Sequence, residues 1–133
     1  MKIAICSSMA FAKEMLNAKK ELEKLEHIVC IQEDVYSHAS GGIKQEDKWR
    51  KIQIDPFKTY YKKIKKSDAV LVINMRKNSV NNYIGGNTLI EMAFAYVLDK
   101  KIYLLNPVPK LSYSDEIEAM KPVILYGDLT KIR

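Results

Sequence analysis

The stretch Ala69-Val70-Leu71-Val72-Ile73 decides the fold. An unbroken apolar run of this length, rich in β-branched residues, is typical of a strand that is buried on both faces. Similar runs lie on either side of it, at Ile3–Cys6, Ile28–Ile31, Lys101–Leu105 and Val123–Leu125. The sequence therefore predicts five strands, with residues 69–73 at the centre of the sheet.

Helical patterns separate these strands. Ser7 and Ser8 are good N-cap residues, and the apolar residues after them recur every three or four positions. This spacing predicts a helix with one buried stripe, formed by Phe11, Met15, Ala18, Leu22 and Leu25. Asp55-Pro56 predicts a second helix that runs to about Lys66. Two more helices are expected, at Thr88–Leu98 and Ser114–Met120.

The alternation of strand and helix implies a parallel sheet that is covered on both faces. We predict one α/β domain over residues 1–133, a three-layer α/β/α structure with a five-stranded parallel sheet in the flavodoxin/Rossmann-like order 2-1-3-4-5. The segment Glu33–Asp55 departs from this alternation because it has no clear period. Connections this long usually have a function, so we expect a lid over the site, with a short helix near Gln45–Lys51.

Composition and cysteine usage narrow the classes of function. Hydrophobic residues make up 47% of the 133 residues, and no apolar run approaches the roughly 20 residues of a membrane span. The apolar start is too short for a signal peptide, so we expect a cytoplasmic protein with no membrane partner. Cys6 and Cys30 lie in strand-like runs without zinc spacing, which favours buried, reduced thiols and no metal site.

The net charge of +6 makes nucleic acids and anionic metabolites possible partners. The densest basic run, Lys62-Lys63-Ile64-Lys65-Lys66, follows Tyr60 and Tyr61 at helical spacing. Such a run is typical of the exposed face of an amphipathic helix. No nucleic-acid-binding motif accompanies it, so we predict no nucleic-acid partner.

The carboxyl ends of the strands are the expected place for a ligand, which points to the loops after Cys6, Asn74 and Leu105. Gly85 and Gly86 would let the backbone approach a ligand closely, and Asn87 would cap the following helix. Glu91 is then an acid one turn into a largely apolar helix. The alternative is that Glu91 only stabilises the positive end of that helix.

A second candidate site is the turn Ser7-Ser8-Met9 after the first strand. Backbone N–H groups at a helix start, together with two hydroxyls, form a ready anion site. The alternative is that Ser7 or Ser8 simply caps the helix.

The pattern Gly-x-x-x-x-Glu-x-x-x-Ala, from Gly86 to Ala95, resembles the catalytic-helix motif of the nucleoside 2-deoxyribosyltransferase superfamily. The resemblance leaves out Glu33–Asp55 and extends to four other segments, which are Ile3–Met9, Ser67–Val72, Lys100–Leu105 and Val123–Leu129. It implies a nucleoside or nucleotide ligand, no metal or organic cofactor, and a homodimer or higher homo-oligomer. Tyr113–Glu116 is the segment expected to cross an interface.

The resemblance also implies the chemistry. In that superfamily a carboxylate at the position of Glu91 attacks the anomeric carbon, because cleavage of an N-glycosidic bond builds oxocarbenium character that a carboxylate stabilises. The turn at Ser7, Ser8 and Met9 is more similar to the branch that hydrolyses nucleoside 5'-monophosphates, where such a turn holds the phosphate. Asn87 would support the phosphate or the sugar hydroxyls.

One departure from the superfamily pattern concerns an Asp that usually stands eight residues before the acid opening the third strand. Counting back from Asp68 gives Tyr60, and the candidate substitutes are Asp55, Asp47 and Glu46. The departure favours a second hypothesis, a nucleotide-binding or sensing module without turnover. Two further alternatives are a nucleoside deoxyribosyltransferase and a phosphoribohydrolase of the cytokinin-activating type, whose signature Gly85–Glu91 partly matches.

A second departure is the loop between Asp68 and Glu91, which is longer than the resemblance leads us to expect. Asn81, Asn82 and Tyr83 lie in this loop. They can contact a sugar or base, or they can be turn residues, which is the commoner role of asparagine.

Overall fold

The strands form one parallel sheet in a computed structural model of the protein, which describes residues 1–40 and 55–133. Its strand order is β2-β1-β3-β4-β5, and every pairing is parallel. The strands are β1 (Lys2–Cys6), β2 (Ile28–Cys30), β3 (Ala69–Val72), β4 (Lys101–Leu104) and β5 (Val123–Ile124). The predicted fold class and strand order are therefore confirmed, with β3 at the centre.

Helices cover both faces of the sheet. A 3₁₀ turn (Met9–Phe11) leads directly into the first helix, and a second 3₁₀ turn (Leu129–Lys131) lies near the end of the chain. The α-helices of the described residues are α1 (Ala12–Lys24), α2 (Val35–Ala39), α3 (Pro56–Lys65), α4 (Gly86–Val97) and α5 (Ser114–Ala119). None of these helices is long and apolar enough to cross a membrane.

Alternate side chains of β1 and β3 enter two separate cores, as a strand covered on both faces requires. One core lies under α1 and includes Ile3, Ile5, Ala69 and Leu71. The other lies under α3 and α4 and includes Ala4, Cys6, Val70 and Val72.

The predicted stripe of α1 is correct except at its last member. Phe11, Met15, Ala18 and Leu22 are buried, but Leu25 is 42% exposed. The reason is that α1 ends at Lys24 and the chain then reverses, with Glu26 at a φ of 69°. Leu25 is therefore no longer on the helix face that the 3.6-residue period extrapolates.

The basic helix α3 has the predicted two faces. Tyr60 and Ile64 are buried against the sheet, while Lys62, Lys65 and Lys66 are exposed. Lys63 is half-buried, because its Nζ donates to the carbonyl of Ile31 at 3.2 Å. The lysine run is thus explained by amphipathic packing.

The predicted lid falls mostly outside the described residues, including the helix expected near Gln45–Lys51. Its described beginning contains the short helix α2, whose first residue, Val35, is buried in the core under α1.

A pair of asparagines joins the ends of β3 and β4. Asn74 is fully buried, and its Oδ1 accepts from the backbone N–H of Asn106 at 2.9 Å. Its Nδ2 donates to the carbonyls of Asn106 and Pro107 at 2.8 and 3.1 Å. Asn106 in turn donates its Nδ2 to the carbonyl of Asn74 at 2.9 Å. The loop after β4 is therefore fixed to the loop after β3.

Asn74→Ala should lower the free energy of unfolding by about 2 kcal/mol, because it leaves the N–H of Asn106 and two carbonyls without their partner. Urea denaturation followed by circular dichroism measures the loss. Asn17→Ala, on the exposed side of α1, is the control and should change stability by less than about 0.5 kcal/mol. Equal stabilities for the two variants would contradict a structural role for the pair.

Candidate functional site

Glu91 is a buried carboxylate on α4, with only 3% of its surface exposed. The Nε2 of Gln32, from the loop after β2, donates to its Oε2 at 2.9 Å. A carboxylate removed from water is costly unless it is hydrogen-bonded, and this bond compensates part of that cost. The position of Gln32 after β2 brings the two side chains together at the carboxyl end of the sheet.

The structure separates the two interpretations of Glu91. Helix α4 begins at Gly86, so Glu91 is its sixth residue, and the first turn of α4 contains no acidic residue. The helix dipole acts on charges within the first turn and weakens beyond it. Stabilisation of the helix start therefore does not account for a buried acid at this position.

Asn87 is not the cap of α4, contrary to the prediction. The N-cap is Gly85, in an extended conformation, and no side chain caps the helix. The helix starts at Gly86, two residues before the predicted Thr88, because the extended backbone at Gly85 leads directly into it. Asn87 is therefore the second helical residue. A Cβ on Gly85 would lie 3.3 Å from the ring of Tyr83, so this glycine allows a close approach, although to a side chain.

Tyr60, at the position where the superfamily carries Asp, lies between the ends of β1 and β2. Its hydroxyl bonds the carbonyl of Ile5 and lies 3.2 Å from the carbonyl of Cys30. Burial raises the pKa of the Tyr60 phenol, and the nearby Cys6 and Glu91 raise it further. Tyr60 is therefore a neutral phenol that ties two strands together.

Cys6 belongs to the same buried group. Burial raises the pKa of its thiol, and the charge of Glu91 raises it further. A thiol in this setting stays protonated, and free thiols of this kind pack as small hydrophobic groups. Cys6 is a buried free cysteine, as predicted, whereas Cys30 is free but only half-buried.

The acidic residues considered as substitutes for an Asp at position 60 lie in different places. Asp55 caps α3, since its Oδ1 accepts from the backbone N–H of Lys58 at 3.2 Å. Asp47 and Glu46 lie outside the described residues. Among the described residues, Glu33 and Asp34 are carboxylates that line a cavity beside Tyr60.

This cavity has a volume of about 200 Å³ and opens between the end of β2 and the start of α3. It is lined by Gln32, Glu33, Asp34, Pro56, Thr59, Tyr60 and Lys63. Pockets for drug-sized ligands start at about 300 Å³, so this one suits a smaller molecule or one part of a larger ligand. Gln32 connects it to Glu91.

The predicted anion turn contains two serines with different partners. Ser7 is buried, and its hydroxyl donates to the carbonyl of Ile73 at 2.8 Å. Ser8 is half-buried and is the N-cap of the 3₁₀ turn, with its Oγ accepting from the N–H of Ala10 at 3.3 Å. The capping role predicted for one of the two therefore belongs to Ser8, whereas Ser7 holds β3 beside β1. The backbone of Met9 begins the turn.

Gln32 and Lys77 were not predicted from the sequence. The Nζ of Lys77, from the loop after β3, lies 3.2 Å from the Oγ of Ser8. For Gln32 the signal was present, because it follows β2 and the carboxyl-end rule applies to β2 as much as to β1 and β3. For Lys77 the only signal was the unexpected length of its loop.

Metal ligands do not cluster within residues 1–40 and 55–133. No group of three or more His, Cys, Asp or Glu side chains lies close enough together there to hold a metal ion.

No protein-family model matches the chain, and no curated protein matches it. Among solved structures it is similar to the 2-deoxyribosyltransferase from the psychrotolerant bacterium Bacillus psychrosaccharolyticus, with 21% identity and a TM-score of 0.56. That likeness covers 78% of this chain and 71% of the other. The two proteins share a fold.

The other solved structure that we compare is the flavoenzyme FerB, an NAD(P)H:(acceptor) oxidoreductase from Paracoccus denitrificans. It has 11% identity and a TM-score of 0.49, over 92% of this chain and 74% of that one. A likeness this weak supports no argument about function.

Tyr60→Phe should reduce the free energy of unfolding by about 1–2 kcal/mol, because the carbonyls of Ile5 and Cys30 lose a buried donor. Tyr61→Phe is the matched control on the neighbouring position. Its ring packs edge-on against Phe94 at 5.2 Å, and that contact survives the change. Chemical denaturation measures both variants, and an unchanged stability for Tyr60→Phe would mean that the phenol does not hold the strands.

Proposed function

We propose that the protein cleaves or transfers at the N-glycosidic bond of a (deoxy)nucleoside 5'-monophosphate, as a divergent member of the nucleoside 2-deoxyribosyltransferase superfamily. The observation that carries the proposal is Glu91, a buried carboxylate beyond the first turn of its helix that a side-chain amide holds in place. Buried, specifically partnered acids beside a cavity are typical of catalytic sites. The shared fold and the motif Gly86–Ala95 support the same proposal.

In the proposed reaction Glu91 is the nucleophile. Its carboxylate attacks the anomeric carbon, the carbon–nitrogen bond breaks, and the base leaves with the electron pair of that bond. Water or another base then attacks the glycosyl-enzyme ester and restores the carboxylate. The Gln32 amide orients the Glu91 carboxylate, so less conformational freedom has to be lost before the carboxylate can attack.

The departing base needs a proton. Tyr60 is a poor source, because its hydroxyl is held by backbone carbonyls and burial raises its pKa. Of the described residues, Glu33 and Asp34 carry the carboxyl groups that line the cavity reached by Gln32, and in the proposed reaction the protonated form of one of them supplies this proton. We assign the base to this cavity, the sugar to a position next to Glu91, and the phosphate to Ser8 and the Met9 amide. Ser7, Gly85, Gly86 and Asn87 complete the proposed binding residues.

Glu91→Gln keeps the shape of the side chain and an acceptor for Gln32, but it removes the charge and the nucleophile. Turnover should fall by a factor of about 10³ or more, while ligand affinity changes little. The measurement is release of free base from nucleosides and their 5'-monophosphates, followed by chromatography. Glu21→Gln, an exposed position on α1, is the control and should react like the wild type. Base release that survives Glu91→Gln would disprove the mechanism.

The second candidate is a nucleotide-binding module without turnover, and Tyr60 favours it. A strand-tying phenol stands where the superfamily has a carboxylate, so the group that would protonate the base is replaced by a structural one. A wild type that binds 5'-monophosphates but releases no base would support this candidate over the enzyme.

The outer face of α4 supports the proposal of a homo-oligomer. Ile90, Tyr96 and Val97 are 41%, 47% and 77% exposed, and the only charged residue of the helix is the buried Glu91. Exposed apolar patches on a helix without exposed charges mark contact surfaces, and in a two-fold dimer the same face meets its copy. We therefore propose that a second copy of this chain covers α4. The cytoplasmic location remains a prediction from the sequence.

The segment Tyr113–Glu116, proposed to reach a partner, is partly bound within its own chain. The hydroxyl of Tyr113 donates to the carbonyl of Ile84, just before α4. Asp115 and Glu116 are exposed, so they are the members of the segment that remain for an intermolecular contact.

Val97→Asp should convert the oligomer to monomers, because a charge that an apolar interface removes from water is costly. Light scattering coupled to size exclusion gives the mass. Tyr126→Asp is the control, since Tyr126 is 69% exposed on another face and has a positive φ of 50°, which aspartate tolerates. A monomeric wild type would refute the proposed contact.

A further inference from the structure

The loop between β3 and α4 turns back towards the end of β1. Lys77 and Val80 exchange backbone hydrogen bonds of 3.0 and 2.9 Å, which close a tight turn. The N–H of Tyr83 donates to the carbonyl of Met75 at 2.7 Å and closes the base of the loop. The extra length of this loop is therefore ordered structure that carries Lys77 to a defined place.

Two contacts hold the ammonium of Lys77. It lies 3.2 Å from the Oγ of Ser8 and 5.1 Å from the centre of the Tyr83 ring, a cation–π distance. A lysine ammonium has three N–H donors, and the bond to Ser8 uses one of them. Within residues 1–40 and 55–133 no carboxylate pairs with this ammonium.

The partner of Lys77 is the serine that remains available in the turn after β1. The Ser7 hydroxyl donates a hydrogen bond to the carbonyl of Ile73. The Ser8 hydroxyl is half-buried, and its Oγ accepts hydrogen bonds from the Lys77 ammonium and from the backbone N–H of Ala10. A hydroxyl that accepts two hydrogen bonds still has its own proton to donate. An anion beside Ser8 can therefore receive one hydrogen bond from the hydroxyl and further ones from the ammonium.

We propose that Lys77 is a specificity-determining residue that binds the 5'-phosphate of the substrate together with Ser8. This inference rests on the proposed function and adds to it the residue that distinguishes a 5'-monophosphate from its nucleoside. Phosphate fits because it carries close to two negative charges and three strong acceptor oxygens, which match a cation and a hydroxyl donor. In the absence of ligand, Ser8 and Tyr83 keep the ammonium in place.

Calorimetric titration with four probes tests the assignment: 2-deoxyribose 5-phosphate, inorganic phosphate, and one nucleoside with its 5'-monophosphate. Lys77→Met should weaken binding of 2-deoxyribose 5-phosphate and of the nucleoside 5'-monophosphate by about ten- to a hundredfold, which is the range for hydrogen bonds to charged groups. Binding of the nucleoside should change by less than about twofold. Lys77→Arg should restore most of the affinity. If Lys77→Met fails to fold, Lys77→Gln removes the charge and keeps a donor to Ser8.

Arg76→Met is the matched control. Arg76 lies in the same loop, is exposed, and donates to Asn81 at 2.7 Å, so its removal takes away the same charge without touching Ser8. Its affinity for all four probes should stay within about twofold of the wild type. An equal loss in Arg76→Met and Lys77→Met would show a general effect of charge and overturn the assignment.

The remaining outcomes separate this inference from the proposed function. Sugar phosphates that bind Lys77→Met as well as they bind the wild type would overturn the role of Lys77 and leave the reaction untouched. Inorganic phosphate that binds as tightly as 2-deoxyribose 5-phosphate would overturn the assignment to a phosphorylated substrate. Base release by the wild type from nucleosides, without preference for the monophosphate, would refute the phosphate site and retain the glycosidic chemistry.

Discussion

Burial of β3 on both faces is the constraint on which the rest of the structure depends. Each of its side chains is fully buried, so one face requires the core under α1 and the other requires the core under α3 and α4. Because the neighbours of β3 on both sides are parallel to it, a connection that passes over one face of the sheet must join each strand to the next. The consequence for function is that the loops after β1 and β3 leave the sheet side by side, where the strand order reverses. Ser8 and Lys77 meet for that reason.

The fold buries the carboxylate of Glu91 at this end of the sheet, where its removal from water costs free energy. Glu91 is buried beside Tyr60 and Cys6, and burial together with the charge of Glu91 favours the neutral forms of both groups. The Gln32 amide supplies one hydrogen bond to the carboxylate. Proteins that keep such an acid where an apolar residue would pack more favourably usually use it. The asparagine pair at the ends of β3 and β4 gives this polar end of the sheet a rigid frame.

Sequence patterns predicted the fold well because burial has a period that can be seen in a single chain. The apolar run at 69–73 and the stripe of α1 follow directly from two-faced and one-faced burial. The predictions that Leu25 is buried and that Asn87 caps a helix were wrong for a local reason. Both depend on where a helix ends or begins, and the backbone conformations at Glu26 and Gly85 shift those points by one or two residues. Glu91 was singled out because a charged residue is unexpected within a largely apolar helix.

Residues that act through long-range contacts were harder to find. Gln32 reaches Glu91 over 59 positions, and Lys77 reaches Ser8 over 69 positions. Neither glutamine nor lysine is unusual in a loop, and no periodicity links the members of either pair. The order of the strands, rather than any motif, brings them together. Tyr60 is the opposite case, because its position marked a departure from the superfamily pattern and its contacts show a structural role.

The contact between Gly85 and Tyr83 has a consequence for how this site tolerates change. The backbone at Gly85 has a φ of −85° and a ψ of 177°, which any amino acid adopts, so the demand for glycine is spatial. A side chain there would push against the Tyr83 ring, and the same ring contacts the Lys77 ammonium. The start of the helix that carries Glu91 and the cation beside Ser8 thus share one aromatic ring. A substitution at position 85 would therefore disturb the start of the helix and the position of Lys77 together, and the residue that limits such a change lies two places away in the chain.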